Sequence, residues 1–223
     1  PENPAPCSPR PRSPRLDDSL YQEMAQREKN YWWFVAKRHI ILRLIERYVQ
    51  AGPAKAAGDE STTVPSICDI GCGTGALLMA LKDRYRVTGT DSSAIAREIC
   101  AKAGITTHDG TLPDALPFEP ASFDCIVMSD VLEHVGPDTE SVAAAARLLR
   151  PRGVLICTVP AHQWMWTRRD EFHHHKRRYS RGQFGRLFDQ AGLQTEVLSY
   201  YNALLFPVMI AGRLGKKLLG LDK

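Results

Sequence analysis

Hydrophobic positions along the 223-residue chain change their period near residue 66. Before that point the helical period holds. In "YWWFVAKRHIILRLIERYVQAG", Ile40, Ile41, Leu44, Ile45 and Tyr48 fall at i, i+1, i+4, i+5 and i+8, one face of a helix that stops near Gly52. An earlier helix start falls at Ser19, where Gln22 completes a capping box. From Ser66 onward, short apolar runs alternate with helical ones. Strands are predicted at 66–70, 86–90, 105–108, 123–129, 153–159 and 193–200, and helices at 75–84, 93–103, 139–149 and 180–191. This alternation predicts an α/β fold, a doubly wound, mostly parallel Rossmann-like sheet with helices on both faces. In such a sheet, ligands sit beyond the carboxyl ends of the strands.

The pattern lapses in four places. The first fifteen residues hold six prolines and no apolar period, so residues 1–18 read as a disordered Pro/Arg-rich tail ahead of an N-terminal helical lid at 19–53. Residues 54–65 are small, polar and aperiodic, a loop. Residues 160–179 interrupt the core at 64–201 after its fifth strand, at the catalytic end of the sheet, where the wall of a substrate pocket belongs. The last stretch, "NALLFPVMIAGRLGKKLLGLDK", reads as an apolar helical segment (202–223) broken at Pro207. Packing on its own core is the first expectation for its stripe; a peripheral membrane or dimer contact through 203–220, with Lys216 and Lys217 alongside, is the second.

Composition narrows the picture. Hydrophobic content of 43% and charged content of 24% are those of a soluble globular chain. A net charge of +4 permits an anionic substrate but does not demand nucleic acid. The six cysteines include no CxxC pair, and Cys68, Cys125 and Cys157 sit inside strand-like runs, so reduced thiols are expected. With no charged-then-apolar leader and no run of membrane-spanning length, a cytoplasmic protein is expected.

The chemistry centres on "ICDIGCGTG", where Gly71, Gly73 and Gly75 separate a strand from a helix and bring bare backbone to a ligand. The phosphate-cradling pattern GxxxxGK[ST] is absent, and GxGxG spacing alone divides evenly between a dinucleotide and S-adenosylmethionine. The neighbours decide between them. Asp69 would repel a pyrophosphate and attract an ammonium group. Asp91, ending the second strand in "VTGTDSS", suits both hydroxyls of a ribose, and "HDG" (108–110) suits an adenine amino group.

Taken in order, "DIGCGTG", "GTDSS", "HDG", "LPFEPASFDCIV" and "DVLEHV" resemble the class I S-adenosylmethionine-dependent methyltransferases, in the ubiquinone-biosynthesis-like, small-molecule branch. The resemblance covers about residues 66–200, and "HHHKRRY" extends it through the pattern H-x-R-R-Y. It implies S-adenosyl-L-methionine as cofactor and S-adenosyl-L-homocysteine as product. By position, Asp69, Gly71, Gly73 and Gly75, with Cys72 inside the turn, would line the methionine and ribose side. Asp91 would take the ribose diol with Ser92 beside the adenine. Asp109 and Gly110 would flank the adenine edge, and Ser129, Asp130 and Val131 would cross beneath the methionine.

Methyl transfer from a sulfonium asks the protein mainly to align a nucleophile and exclude water. A neutral nucleophile must also lose a proton. His134 in "DVLEHV" is the candidate base, while Glu133 is expected to be a solvated or capping carboxylate. His175 is expected at the active site. Of Arg177 and Arg178, one is expected to pair with an internal carboxylate and the other to meet an anionic substrate, with Tyr179 beside them. Tyr31, Trp32, Trp33 and Phe34 form an aromatic lid with Arg38, and Trp164 and Trp166 share a face if their segment is extended. No metal is expected: His174 would face away from His173 and His175, and no acidic cluster marks a divalent-metal catechol site. The expected reaction is methylation of an oxygen, nitrogen or carbon on a small molecule, anionic or lipid- or sugar-linked. Two alternatives compete: a nucleic-acid methyltransferase using the arginine-rich insertion, although the motif NPPY is missing, and a cofactor-binding, non-catalytic partner subunit.

Overall fold

A computed structural model describes residues 25, 28, 30–49 and 64–218. The tail at 1–18, the helix start at Ser19, the stop near Gly52 and most of the 54–65 loop lie outside these residues. Five parallel strands form one sheet in the order β3-β2-β1-β4-β5: β1 (Ser66–Ile70), β2 (Arg86–Thr90), β3 (Thr107–His108), β4 (Phe123–Ser129) and β5 (Leu149–Thr158). The helices are α1 (Trp32–Tyr48), α2 (Ala76–Leu81), α3 (Ala94–Lys102), α4 (Asp138–Leu148), α5 (Arg168–Phe172), α6 (Arg181–Gln190) and α7 (Phe206–Leu218).

The central strands are apolar on both faces because both faces are covered. Along β4, Cys125 and Val127 pack with Ile67, with Leu77 and Leu81 of α2, and with Ile41 and Ile45 of α1. The alternate residues Ile126 and Met128 pack with Val142, Ala145 and Leu148 of α4 and Leu187 of α6. Period two in the strand and 3.6 in the helices thus meet in two layers of core. The free thiols Cys68 and Cys125 are fully buried within them, as expected of reduced strand cysteines.

Three expectations change. No strand forms over 193–200: this stretch has no ladder partner, so its alternation is not matched by pairing. β5 begins at Leu149 rather than 153, directly after α4, and Pro151–Gly153 bulge out of the ladder between the pairs Phe123↔Leu149 and Cys125↔Val154. Pro207 does not break the last helix. It stands at its second residue, where a missing N–H costs nothing, and so helps to start it. Of that helix, Phe206 packs against Trp164 and His162, whereas Val208 and Met209 are exposed. Among the described residues, no helix is long and apolar enough to cross a membrane.

Candidate active site

The turn after β1 is laced to β2: Gly71 and Cys72 donate their N–H groups to the Thr90 carbonyl at 2.7 and 3.0 Å. Gly71 has φ +74°, and a Cβ there would lie 2.7 Å from Val131 Cγ2. Gly75 has φ +79°, and its Cβ would lie 2.7 Å from Cys100 Sγ. Backbone and space both demand glycine at these two positions. Asp91 braces the turn by accepting from the N–H groups of Gly73 (2.9 Å) and Ser93 (2.8 Å). Burial raises its pKa against the lowering effect of those two donors.

Above these strand ends lies a cavity of about 1720 Å³. Asp69, only 4% exposed, lines it with Oδ1 lacking any partner. Burial, then the nearby charge of Glu28, pushes the Asp69 carboxyl up to about 8. Glu28 reaches the glycine turn from the N-terminal segment and accepts a hydrogen bond from Thr74 Oγ1.

The opposite wall follows β4. Asp130 adopts φ +57° and is held on both oxygens, by Lys37 Nζ at 2.6 Å and by Thr158 Oγ1 at 2.9 Å. Leu132–His134 make one tight turn that aims Glu133 and His134 at the cavity. Glu133 is 1% exposed and neither carboxylate oxygen has a partner. Burial, then Asp130, raises its pKa well above the carboxylate range. Burial, then the charge of His175, pushes His134 down to about 4, so its imidazole is neutral at neutral pH.

His175 reaches the same wall from the insertion. The Lys176 N–H donates to the Glu133 carbonyl at 2.7 Å, which clips the insertion onto the 132–134 turn. The His134 and His175 rings then stand edge to face with centroids 4.8 Å apart. Behind His175, Asp170 accepts from its Nδ1 at 2.9 Å and from Arg178 Nε and Nη2 at 2.7 and 2.8 Å. Burial alone would raise Asp170, but Arg178 and the Thr167 N–H overrule it and hold the carboxyl well below its usual range.

The predicted residues divide accordingly. Asp69, Gly71, Cys72, Gly73, Asp91, Ser92, Asp109, Gly110, Ser129, Asp130, Val131, His134 and His175 all line the cavity. So do Tyr31, Trp33 and Arg38 of the aromatic segment, with Trp33 packed on Tyr201 at 5.4 Å between centroids. Gly75 does not line it; its role is the close packing of the turn on α3. Trp164 and Trp166 are also outside, because Gln163–Met165 coil into one helical turn and break the extended alternation. Neither arginine of the H-x-R-R-Y stretch is free for an anion: Arg177 pairs with Asp138 at 2.6 Å and Arg178 with Asp170. Tyr179 is buried, donating to the Leu132 carbonyl and to Asp138, a structural post between β4 and α4. Glu133 is neither solvated nor a cap.

Sequence reasoning missed Glu28, Lys37 and the part Asp170 plays in holding His175 and Arg178. Lys37 had a signal: it stands at i+4 from Trp33 and i−4 from Ile41, a charge inside the apolar stripe of α1. Asp170 had one too, since Thr167 and Asp170 form a capping box at the start of α5.

A family model described as a methyltransferase domain matches residues 20–198. The ubiquinone biosynthesis O-methyltransferase of Sodalis glossinidius is 29% identical over 109 residues, which is 45% of this chain and 44% of that enzyme. The chain's match therefore spans less than half the length of that curated relative. Among solved structures, Haemonchus contortus phosphoethanolamine N-methyltransferase 2, in complex with S-adenosyl-L-methionine, superposes with TM-score 0.59 at 20% identity, over 79% of this chain and 42% of that one. The [4+2]-cyclase SpnF superposes with TM-score 0.51 at 20% identity, over 66% and 56%. These likenesses show a shared fold that serves more than one reaction.

Proposed function

The chain belongs to the methyltransferase-domain family, and on that premise we propose that it transfers the methyl group of S-adenosylmethionine to a small-molecule acceptor. Asp69 carries the reading. A carboxylate beside the glycine turn, buried and with one oxygen unpartnered, fits a ligand that brings an ammonium group and misfits a pyrophosphate. Bound S-adenosylmethionine supplies an electrophilic methyl group on a sulfonium.

The chain's residues do the rest. Asp69 would hold the ammonium and Asp91 the ribose diol, with lone pairs left after its two backbone donors. Ser92, Asp109 and Gly110 would flank the adenine; Ser129, Asp130 and Val131 would run beneath the methionine. Single-ligand pockets span roughly 300–1,000 Å³, so a cavity of about 1720 Å³ has room for a second molecule beside the cofactor. That acceptor would lie between His134, His175 and the aromatic wall of Tyr31, Trp33 and Tyr201. The N-terminal helix and the insertion at 160–179 would close over it and exclude water. His134 presents a neutral imidazole that can take the acceptor's proton. The curated relative's name favours oxygen among the three possible nucleophiles. The five described cysteines are free, which suits a cytoplasmic enzyme. The nucleic-acid alternative is weakened, because Arg177 and Arg178, two of the insertion's four arginines, pair with internal carboxylates.

Calorimetric titration with S-adenosylmethionine and, separately, NAD tests this directly. Micromolar binding of the first alone, followed by transfer of labelled methyl to a screened acceptor, is the expected result. Binding of NAD, or of neither, would overturn the reading.

A further inference from the structure

Three side chains on the cavity wall make a group that the reaction proposed above does not use as a group. Glu133, His134 and His175 each present one ligand-type atom, and these atoms lie within 4.8 Å of one another. We propose that they form a binding site for one divalent transition-type cation of the zinc class, open on its fourth side toward the acceptor.

Three observations support it independently. The first is Glu133, whose two carboxylate oxygens are buried without a hydrogen-bond partner. Such a group carries a desolvation cost in its charged form, which a bound cation would offset. The cations that act on it are committed elsewhere, Lys37 to Asp130 and Arg178 to Asp170.

The second is the orientation of His175. Asp170 is gripped by Arg178 and by the N–H and hydroxyl of Thr167, so it offers His175 only acceptor oxygens. Nδ1 of His175 therefore carries a hydrogen, which leaves Nε2 as the atom that can serve as a ligand. A carboxylate that fixes the tautomer and ring of a histidine is the usual support behind a metal ligand. The third is backbone. The Lys176–Glu133 clip and the left-handed His174 (φ +56°) hold the two halves of the group together although they come from different segments.

Two imidazoles and one carboxylate suit zinc, cobalt or manganese rather than the all-oxygen shells of magnesium and calcium. Ligand atoms bonded at about 2.0–2.2 Å stand some 3–3.5 Å apart, so the group closes onto an ion by side-chain movements of about an ångström. Three protein ligands leave a position for an acceptor oxygen. There the cation would polarise a hydroxyl and ease loss of its proton to solvent, replacing the base role of His134, whose one lone pair the ion would take. This role rests on the methyltransferase reading; the site itself does not. The sequence reading weighed a metal only at His173 and His175 and expected none; the proposed group joins His175 to Glu133 and His134 instead.

The test uses the whole chain stripped with a chelator and titrated with Co²⁺. One cobalt per chain is expected, with the visible absorption of a four- or five-coordinate ion, displaced by Zn²⁺ and not by Mg²⁺. Glu133→Gln and His175→Ala should each weaken cobalt binding by about tenfold or more, and exposed His39→Ala should not. S-adenosylmethionine affinity is measured on the same samples. Wild type that binds cobalt no better than Glu133→Gln, or shows only a six-coordinate spectrum, overturns the site while a retained cofactor affinity leaves the reaction standing. Cobalt uptake without any cofactor binding upholds the site and sinks the reaction. The wild-type spectrum decides the matter even if the variants fold poorly.

Discussion

The two ends of the sheet treat buried polar groups in opposite ways. At the amino-terminal end, Asp124 Oδ2 accepts from the Ser66 N–H and hydroxyl and from Arg150, which also donates to Ser66 Oγ. The network ties β1, β4 and β5 together and leaves none of its members among the orphaned atoms. At the carboxyl-terminal end the polar atoms are left open. Among the described residues, the buried side-chain atoms without partners belong to Asp69, Thr90, Glu133 and Asn202, three of them at or just past the ends of β1, β2 and β4. Asp130 adds a left-handed, non-glycine backbone at the same end. A completed network stabilises; an incomplete one is built to be completed by something that binds.

That contrast is exposed to direct tests. The largest effect belongs at the open end: His134→Ala should slow methyl transfer by about 100-fold or more while cofactor affinity, by calorimetry, stays essentially unchanged. Normal turnover at saturating acceptor would remove His134 from the chemistry. Asp91→Ala comes next. It should cost about 2–3 kcal/mol of cofactor binding, roughly 30- to 160-fold, because it removes the diol acceptor and unpins the Gly73 N–H. An unchanged dissociation constant would sink the assignment.

Asp124→Ala attacks the closed end and should behave in reverse. It strands the Ser66 N–H and Arg150, so thermal unfolding should show a loss of about 1–2 kcal/mol in stability, with cofactor affinity intact. If it weakens cofactor binding as much as stability, the two ends are not separate in function.

The subtlest test sets pH against Asp69. Its folded pKa of about 8 is raised by burial, then by Glu28 and Asp91, against the opposing charge of Lys37. An unfolded aspartate ionises near 4, so the folded state holds an extra proton between about 4 and 8. Stability from this group is therefore greatest below that window and falls as pH rises through it. A cationic ligand instead needs the ionised form, so S-adenosylmethionine affinity should rise with pH by up to about tenfold per unit below 8. Asp69→Asn should flatten that slope; an identical slope in the variant would place the titrating group elsewhere.

Much of the open end was legible because its signals are local. Asp69 stands two residues before the glycine turn and Asp91 directly after the second strand, and the glycine spacing reads directly as backbone that must approach a ligand. Glu133 was misread for the opposite reason. Its neighbours in sequence look like an exposed turn, whereas in the fold it is buried and the insertion is clipped to its carbonyl. The strand read over 193–200 failed similarly, since alternation alone supplies no partner strand. The arginines of "HKRRY" were half right: both found carboxylates, supplied by α4 and α5.

By itself, then, the sequence determined the period of the core strands and helices, the parallel α/β architecture and the backbone demands of the glycine turn. Each of these is written in residues adjacent or one helical turn apart, where sterics and hydrophobic period act without knowledge of the rest. The tertiary structure alone decided which charges meet. Lys37 finds Asp130 across 93 positions, and His175 finds Glu133 and His134 from another segment altogether. Such pairings depend on how layers pack, because burial and direction are properties of the assembled core and are not carried by any one stretch of chain.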